Sequence, residues 1–185
     1  MNELKVLLAL GVFAILFDST TSNRFKEYGV LDGKIGDLQI YFYIMLVVKA
    51  LGNGSNNNAD LLLEEVINAE SGKGYYRDTA TAYGEGLGQF DRIAFEDVKL
   101  RASSNTKQRL KMIGVDLDTL KYEELRSSPL ASIALIRVKF LLVPSAIPTD
   151  FNIRYQYYKK YYNSVLGKAT LAHYTKANSG KIFFS

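Results

Sequence analysis

Apolar residues gather in blocks along the 185-residue chain, and their spacing predicts helices joined by polar, glycine-bearing turns. The first block, residues 6–17, is continuously apolar, follows Lys5 and runs into the polar stretch Asp18 to Asn23. Twelve residues rise roughly 18 Å as a helix, short of the roughly 30 Å hydrocarbon core but close to the apolar stretch of a signal peptide. Glu3 dilutes the positive N-terminus and no small-x-small cleavage site follows, so residues 1–22 read as an uncleaved anchor or a signal-like segment. Residues 4–17 are the membrane-contacting part of that expectation. A buried N-terminal helix is the plainer alternative.

A second block, Leu38 to Leu51, follows Asp37 as an N-cap and stops at Gly52. Ile40 to Val48 is apolar on every side, which implies burial in a core or contact with lipid. Core is the expectation, because the segment is short for a span. After a polar turn over Gly52 to Asn58, with Asn58 or Asp60 as cap, a third helix covers Leu61 to Glu70. Ser71 to Gly88 carries five glycines and reads as a loop or short hairpin. Helical spacing returns over Gln89 to Ser103 (Phe90, Ile93, Ala94, Val98) and over Thr106 to Ile113. A loop over Val115 to Leu120 leads into a turn at Lys121 to Arg126. Ser128 then caps a helix with Pro129 at its first position, running from Leu130 to about Val143 and stopped by Pro144. A tyrosine-rich basic helix over Asp150 to Ser164 and a short one over Lys168 to Ala177 complete a mainly α domain, residues 27–185.

Composition narrows the chemistry. At 48% hydrophobic and 23% charged the chain suits one globular domain with a substantial core. Without cysteine there is no disulfide framework or thiolate-bound metal, and one histidine, His173, excludes the usual zinc clusters; neither metal nor cofactor is expected. The formal charge of +4, concentrated toward the C-terminus in Arg154, Lys159, Lys160, Lys168 and Lys176, favours an anionic partner. Nucleic acid is not expected, because no helix-turn-helix, zinc-finger or aromatic RNP pattern accompanies these residues.

At 100° per residue Glu70 lies on the stripe of Leu63, Val66 and Ile67, whereas Glu64 and Glu65 fall well off it. A carboxyl held against apolar surface resists ionisation and can keep its proton near neutral pH, as a general acid must. Ala69-Glu70-Ser71-Gly72, then Gly86-Leu87-Gly88-Gln89, then Tyr161-Tyr162-Asn163-Ser164 form an ordered series. It resembles the Glu-Ser, Gly-Leu-Met-Gln and Ala-Tyr-Asn-Ala-Gly motifs of the lytic transglycosylases and goose-type lysozymes. Gly88 stands where those families usually have methionine, and Ser164-Val165 where they have Ala-Gly. The resemblance spans roughly residues 30 to 176.

That resemblance implies a lysozyme-like domain of the soluble-lytic-transglycosylase type, acting on peptidoglycan glycan strands between N-acetylmuramic acid and N-acetylglucosamine. Glu70 would protonate the glycosidic oxygen and then take the proton of the muramic C6 hydroxyl as a 1,6-anhydro ring closes. It further implies that Ser71, Gly86, Leu87 and Gln89 line the cleft, that Tyr162 contacts Glu70 or the sugar, and that Asn163 holds the cleft backbone. Asp91 occupies the place of a goose-type aspartate that would orient water in an inverting hydrolysis. As a plain helix cap it satisfies the sequence better. Asp78 and Glu85 in the glycine-rich loop are lesser acidic candidates, and glutamate pairing with Lys73 or Arg77 is the plain alternative for Glu70. Tyr155, Tyr157, Tyr158 and Tyr161 read as ordinary aromatic packing, and His173 as a surface or packing residue. The implied setting is the bacterial periplasm or cell envelope, membrane- or virion-associated, for a phage or a bacterial enzyme. A goose-type muramidase using Glu70 and Asp91, and a glycan-binding structural protein without catalysis, are the competing readings.

Overall fold

The computed structural model describes residues 36–75, 84–163, 167–180 and 184. The apolar segment 6–17, Arg77, Asp78, Ser164 and Val165 lie outside the described residues. Among the described residues seven α-helices make a mainly α fold. Among the described residues no helix is long and apolar enough to cross a membrane.

Helix α1, Asp37–Leu51, has its N-cap at Gly36, one residue before the expected Asp37, and is followed by Gly52, whose φ of 85° suits glycine. Ile40, Tyr43, Ile44, Val47 and Leu51 recur at helical spacing and are buried, whereas Leu38, Tyr41 and Met45 remain exposed. The helix thus presents one face to the core, despite being apolar all round.

Helix α2, Ala59–Ser71, is central and packs against α1, α5 and α7. Asn58 is its N-cap by position but not by side chain; Asn53 does that work by accepting from the Asp60 amide at 2.9 Å and donating to the Asp60 carboxylate at 3.0 Å. Every residue from Leu62 to Ala69 is buried, including Glu64 and Glu65. The single apolar stripe expected from the sequence is therefore corrected: α2 is enclosed on all sides and its glutamates are enclosed with it. Glu65 is neutralised inside the fold by Arg154, at 2.9 and 2.7 Å, and by the Tyr174 hydroxyl at 2.8 Å. Gly72, left-handed at φ 54°, closes the helix, its amide donating to Asn68 and that of Lys73 to Ile67.

The stretches expected over Gln89 to Ser103 and Thr106 to Ile113 form α3, Arg92–Arg101, and α4, Ser104–Lys111, separated where Ser103 turns extended and caps the second by accepting from the Thr106 amide. A 3-10 turn at Tyr122–Arg126 leads to α5, Pro129–Leu141, capped by Ser128 with Pro129 at its first turn, as its sequence predicts. Residues Ala131 to Val138 of α5 are all buried, which makes it the second central helix. Helix α6, Phe151–Tyr158, is capped by Asp150 and passes directly into a π-turn at Lys159–Asn163. Thr170 caps the last helix, α7, Leu171–Ala177.

A candidate acid site at the end of α2

Glu70 lies in the last turn of α2, partly open to solvent while protein crowds its carboxyl group. Two neutral donors reach the same oxygen: the Tyr158 hydroxyl at 2.6 Å and the Asn163 amide at 3.4 Å, both to Oε1. Among the described residues no donor reaches Oε2, and none of the buried side-chain polar atoms lacks a partner, so Oε2 opens toward solvent. Lys73, one of the plain partners considered for Glu70, pairs instead with Asp37 at 2.6 Å. Burial pushes the Glu70 pKa above the ordinary glutamate value. The hydrogen bonds from Tyr158 and Asn163, and the charges of Lys139 and His173, pull the other way without cancelling it. Tyr158 is itself raised, first by burial and then by the charge and hydrogen bond of Glu70, so it keeps its proton and stays a donor.

The π-turn explains why two residues five apart meet on one oxygen. In an α-helix, residues five apart point about 140° from each other; the i to i+5 spacing of a π-turn returns them to one face. Tyr158 and Asn163 stand in that relation across Lys159–Asn163. Lys159 holds the far side of Asn163, donating to its Oδ1 at 2.8 Å and to the Gly167 carbonyl at 2.5 Å.

The Tyr-Asn pair exchanges the roles that the resemblance implies. Asn163 touches Glu70, whereas the Tyr162 hydroxyl donates to the Gly88 carbonyl at 2.7 Å and holds the glycine-rich backbone. Tyr158, read from the sequence as packing, is the nearer partner of Glu70. Its signal lay in the chain all along, five residues before Asn163, but becomes readable only once the helix widens there.

The turn from Glu85 to Phe90 is a tight antiparallel bridge facing this end of α2 through Tyr162. Gly86 has φ 72° and a Cβ there would press on the Ser132 hydroxyl and the Leu125 carbonyl. At Gly88 a Cβ would collide with the Tyr162 hydroxyl and Ile136, so the place of the family's methionine holds no side chain. The Gly88 amide donates to Ser132 at 3.3 Å. Leu87 is fully buried and anchors the turn to the core, so its side chain offers nothing to a cleft. Gln89 adopts φ 46° and folds its side-chain amide onto the Gly86 carbonyl at 2.8 Å. Ser71 is also fully buried, spanning from the Ile67 carbonyl at 3.2 Å to the Gly74 amide at 3.1 Å, where it fixes the exit of the chain from α2.

The other acids have structural employment. Asp91 caps α3, accepting from the Ala94 amide at 2.7 Å. Glu85 is buried and bound twice by Arg126, through Nε at 3.0 Å and through a second guanidinium nitrogen. His173 meets the Ala69 carbonyl at 2.9 Å through Nε2, which docks α7 beside the residue preceding Glu70.

No protein-family model, curated protein or solved structure matches the chain. The resemblance to the transglycosylases therefore rests on the motif residues alone.

Proposed function

We propose that the protein is a peptidoglycan lytic transglycosylase with a lysozyme-like arrangement of helices, Glu70 serving as its one acid and base. The observation that carries this reading is the state of Glu70: a carboxyl whose pKa is raised by burial, one oxygen fixed by Tyr158 and Asn163, the other facing out. Such a group keeps its proton until a substrate oxygen arrives. Glu70 donates that proton to the glycosidic oxygen as the bond from muramic C1 to that oxygen breaks. The C6 hydroxyl then attacks C1 and returns its proton to the Glu70 carboxylate, leaving the 1,6-anhydro end. Asn163 and Tyr158 hold the carboxylate in place between the two transfers, and Tyr162 ties the glycine-rich turn to the same helix.

Asp91 favours this over the muramidase reading, because it serves as the α3 cap, one of its oxygens accepting from the Ala94 amide. Mass spectrometry of muropeptides released from sacculi tests the proposal: anhydro ends, lighter by one water than reducing ends, are expected from the wild type and absent with Glu70→Gln. Reducing ends would move the assignment to a hydrolase. Sacculus binding without release in the wild type would leave only a glycan-binding protein.

A further inference from the structure

Lys139 is the one charged residue of α5 that faces the Glu70 end of the molecule without an ion-pair partner among the described residues. Its neighbour Arg137 points the other way, to the Gly52 carbonyl at 3.1 and 2.9 Å. The Lys139 ammonium sits 4.4 Å from the Tyr162 ring centre and 5.5 Å from that of Phe90, and donates to the Tyr162 carbonyl at 3.3 Å. Those two rings meet edge to face, with centres 5.5 Å apart, so they form a corner that fixes the cation. Tyr162 thus holds the glycine-rich turn by its hydroxyl and Lys139 by its carbonyl.

We propose that Lys139 is a positioning residue which, held in the Phe90–Tyr162 corner, steadies the ionised form of Glu70 between the two proton transfers. A cation in contact with Glu70 would strip the acid of its proton before substrate bound. One held back by an aromatic corner, on the carbonyl that joins Tyr162 to the Glu70-binding Asn163, still favours the carboxylate once the proton has left. The charged and titratable groups around the pair are Asp91 and Asp97 from the α3 region, which act on Lys139, Tyr158 and His173, which act on Glu70, and Tyr162, whose ring meets Lys139 and whose hydroxyl feels Glu70. Burial lowers the Lys139 pKa, and Asp91, Glu70 and Asp97 oppose that shift.

This inference rests on the reading of Glu70 as acid and base, but its test needs no substrate. Carboxyl carbon NMR of glutamate-labelled protein, with the Glu70 signal assigned by its loss in Glu70→Gln, gives the titration midpoint directly. Lys139→Met is expected to move that midpoint upward and Lys139→Arg to restore it. If Lys139→Met does not fold, Lys139→Gln is read in its place with the same expected direction. A midpoint unchanged in a folded neutral variant overturns the proposal, as does an arginine variant displaced as far as the methionine one. In sacculus digestion the neutral variant should lose about tenfold in kcat with KM unchanged, its alkaline limb displaced to higher pH. A wild type that releases no muropeptides would remove the catalytic reading while leaving the NMR result to decide the coupling.

Discussion

Glu65 and Glu70 lie five residues apart on α2 and both are bonded to a tyrosine hydroxyl from the C-terminal part of the chain, yet Glu65 is fully buried and Glu70 partly open, and their other partners differ. Glu65 has a guanidinium: Arg154 meets it through two nitrogens, and the same arginine binds the carbonyls of Pro148 and Thr149. Glu70 has only neutral donors in contact, both on one oxygen. Enclosure with a bound cation gives an ion pair that joins α2 to α6, and the Tyr174 hydroxyl extends it to α7. Crowding without one raises the pKa of the carboxyl. What separates a structural glutamate from a candidate catalyst here is the absence of a cation in contact, together with a partial opening to solvent.

Removing each carboxylate should break that contrast in opposite directions. Glu70→Gln is expected to cost about 10²- to 10⁴-fold in muropeptide release, the range for a general acid. It should leave the thermal midpoint unchanged or raised at neutral pH, as measured by circular dichroism. The sign follows from linkage: folded Glu70 holds its proton more tightly than the unfolded chain does, so unfolding free energy falls as pH rises from the ordinary glutamate pKa to the raised one. Glutamine carries no such loss. Glu65→Gln leaves Arg154 buried without its counter-ion and should destabilise the fold by about 3 to 5 kcal/mol in denaturant titrations.

Smaller changes sharpen the comparison. The pH profile of kcat/KM should fall on its alkaline side above the ordinary glutamate range, since the acid must be protonated and burial has raised its pKa. Tyr158→Phe removes a hydrogen bond that favours the carboxylate, so that limb should shift further upward, with a stability cost of about 1 kcal/mol. The smallest effect is expected from Asp91→Asn, because asparagine caps helices as well as aspartate does. Stability should stay within about 0.5 kcal/mol and muropeptide release should persist. Abolished release with an intact fold would instead favour the water-orienting aspartate of a muramidase.

Most of the helices were legible from their apolar spacing, and two of their ends from local chemistry: Ser128 with Pro129, and the glycine at 52, act through the backbone beside them. Glu70 was legible as a candidate for the same reason, from its place on one turn of helix. What the pattern could not convey was enclosure. The stripe calculation assumes a helix with a solvent side, but α2 lies among α1, α5 and α7, so Glu64 and Glu65 are buried although they fall off the stripe. The exchange between Tyr162 and Asn163 was hidden differently, by a helix whose turn changes width where the site is built. Beyond Tyr158 successive side chains no longer advance by 100° per residue.

That wide turn makes the site depend on the pitch of the helix as well as on residue type. Were Lys159–Asn163 to tighten into ordinary α geometry at the same chain length, Asn163 would turn about 140° from Tyr158 and its amide would leave Glu70. A more regular helix would thus dismantle the carboxyl's support.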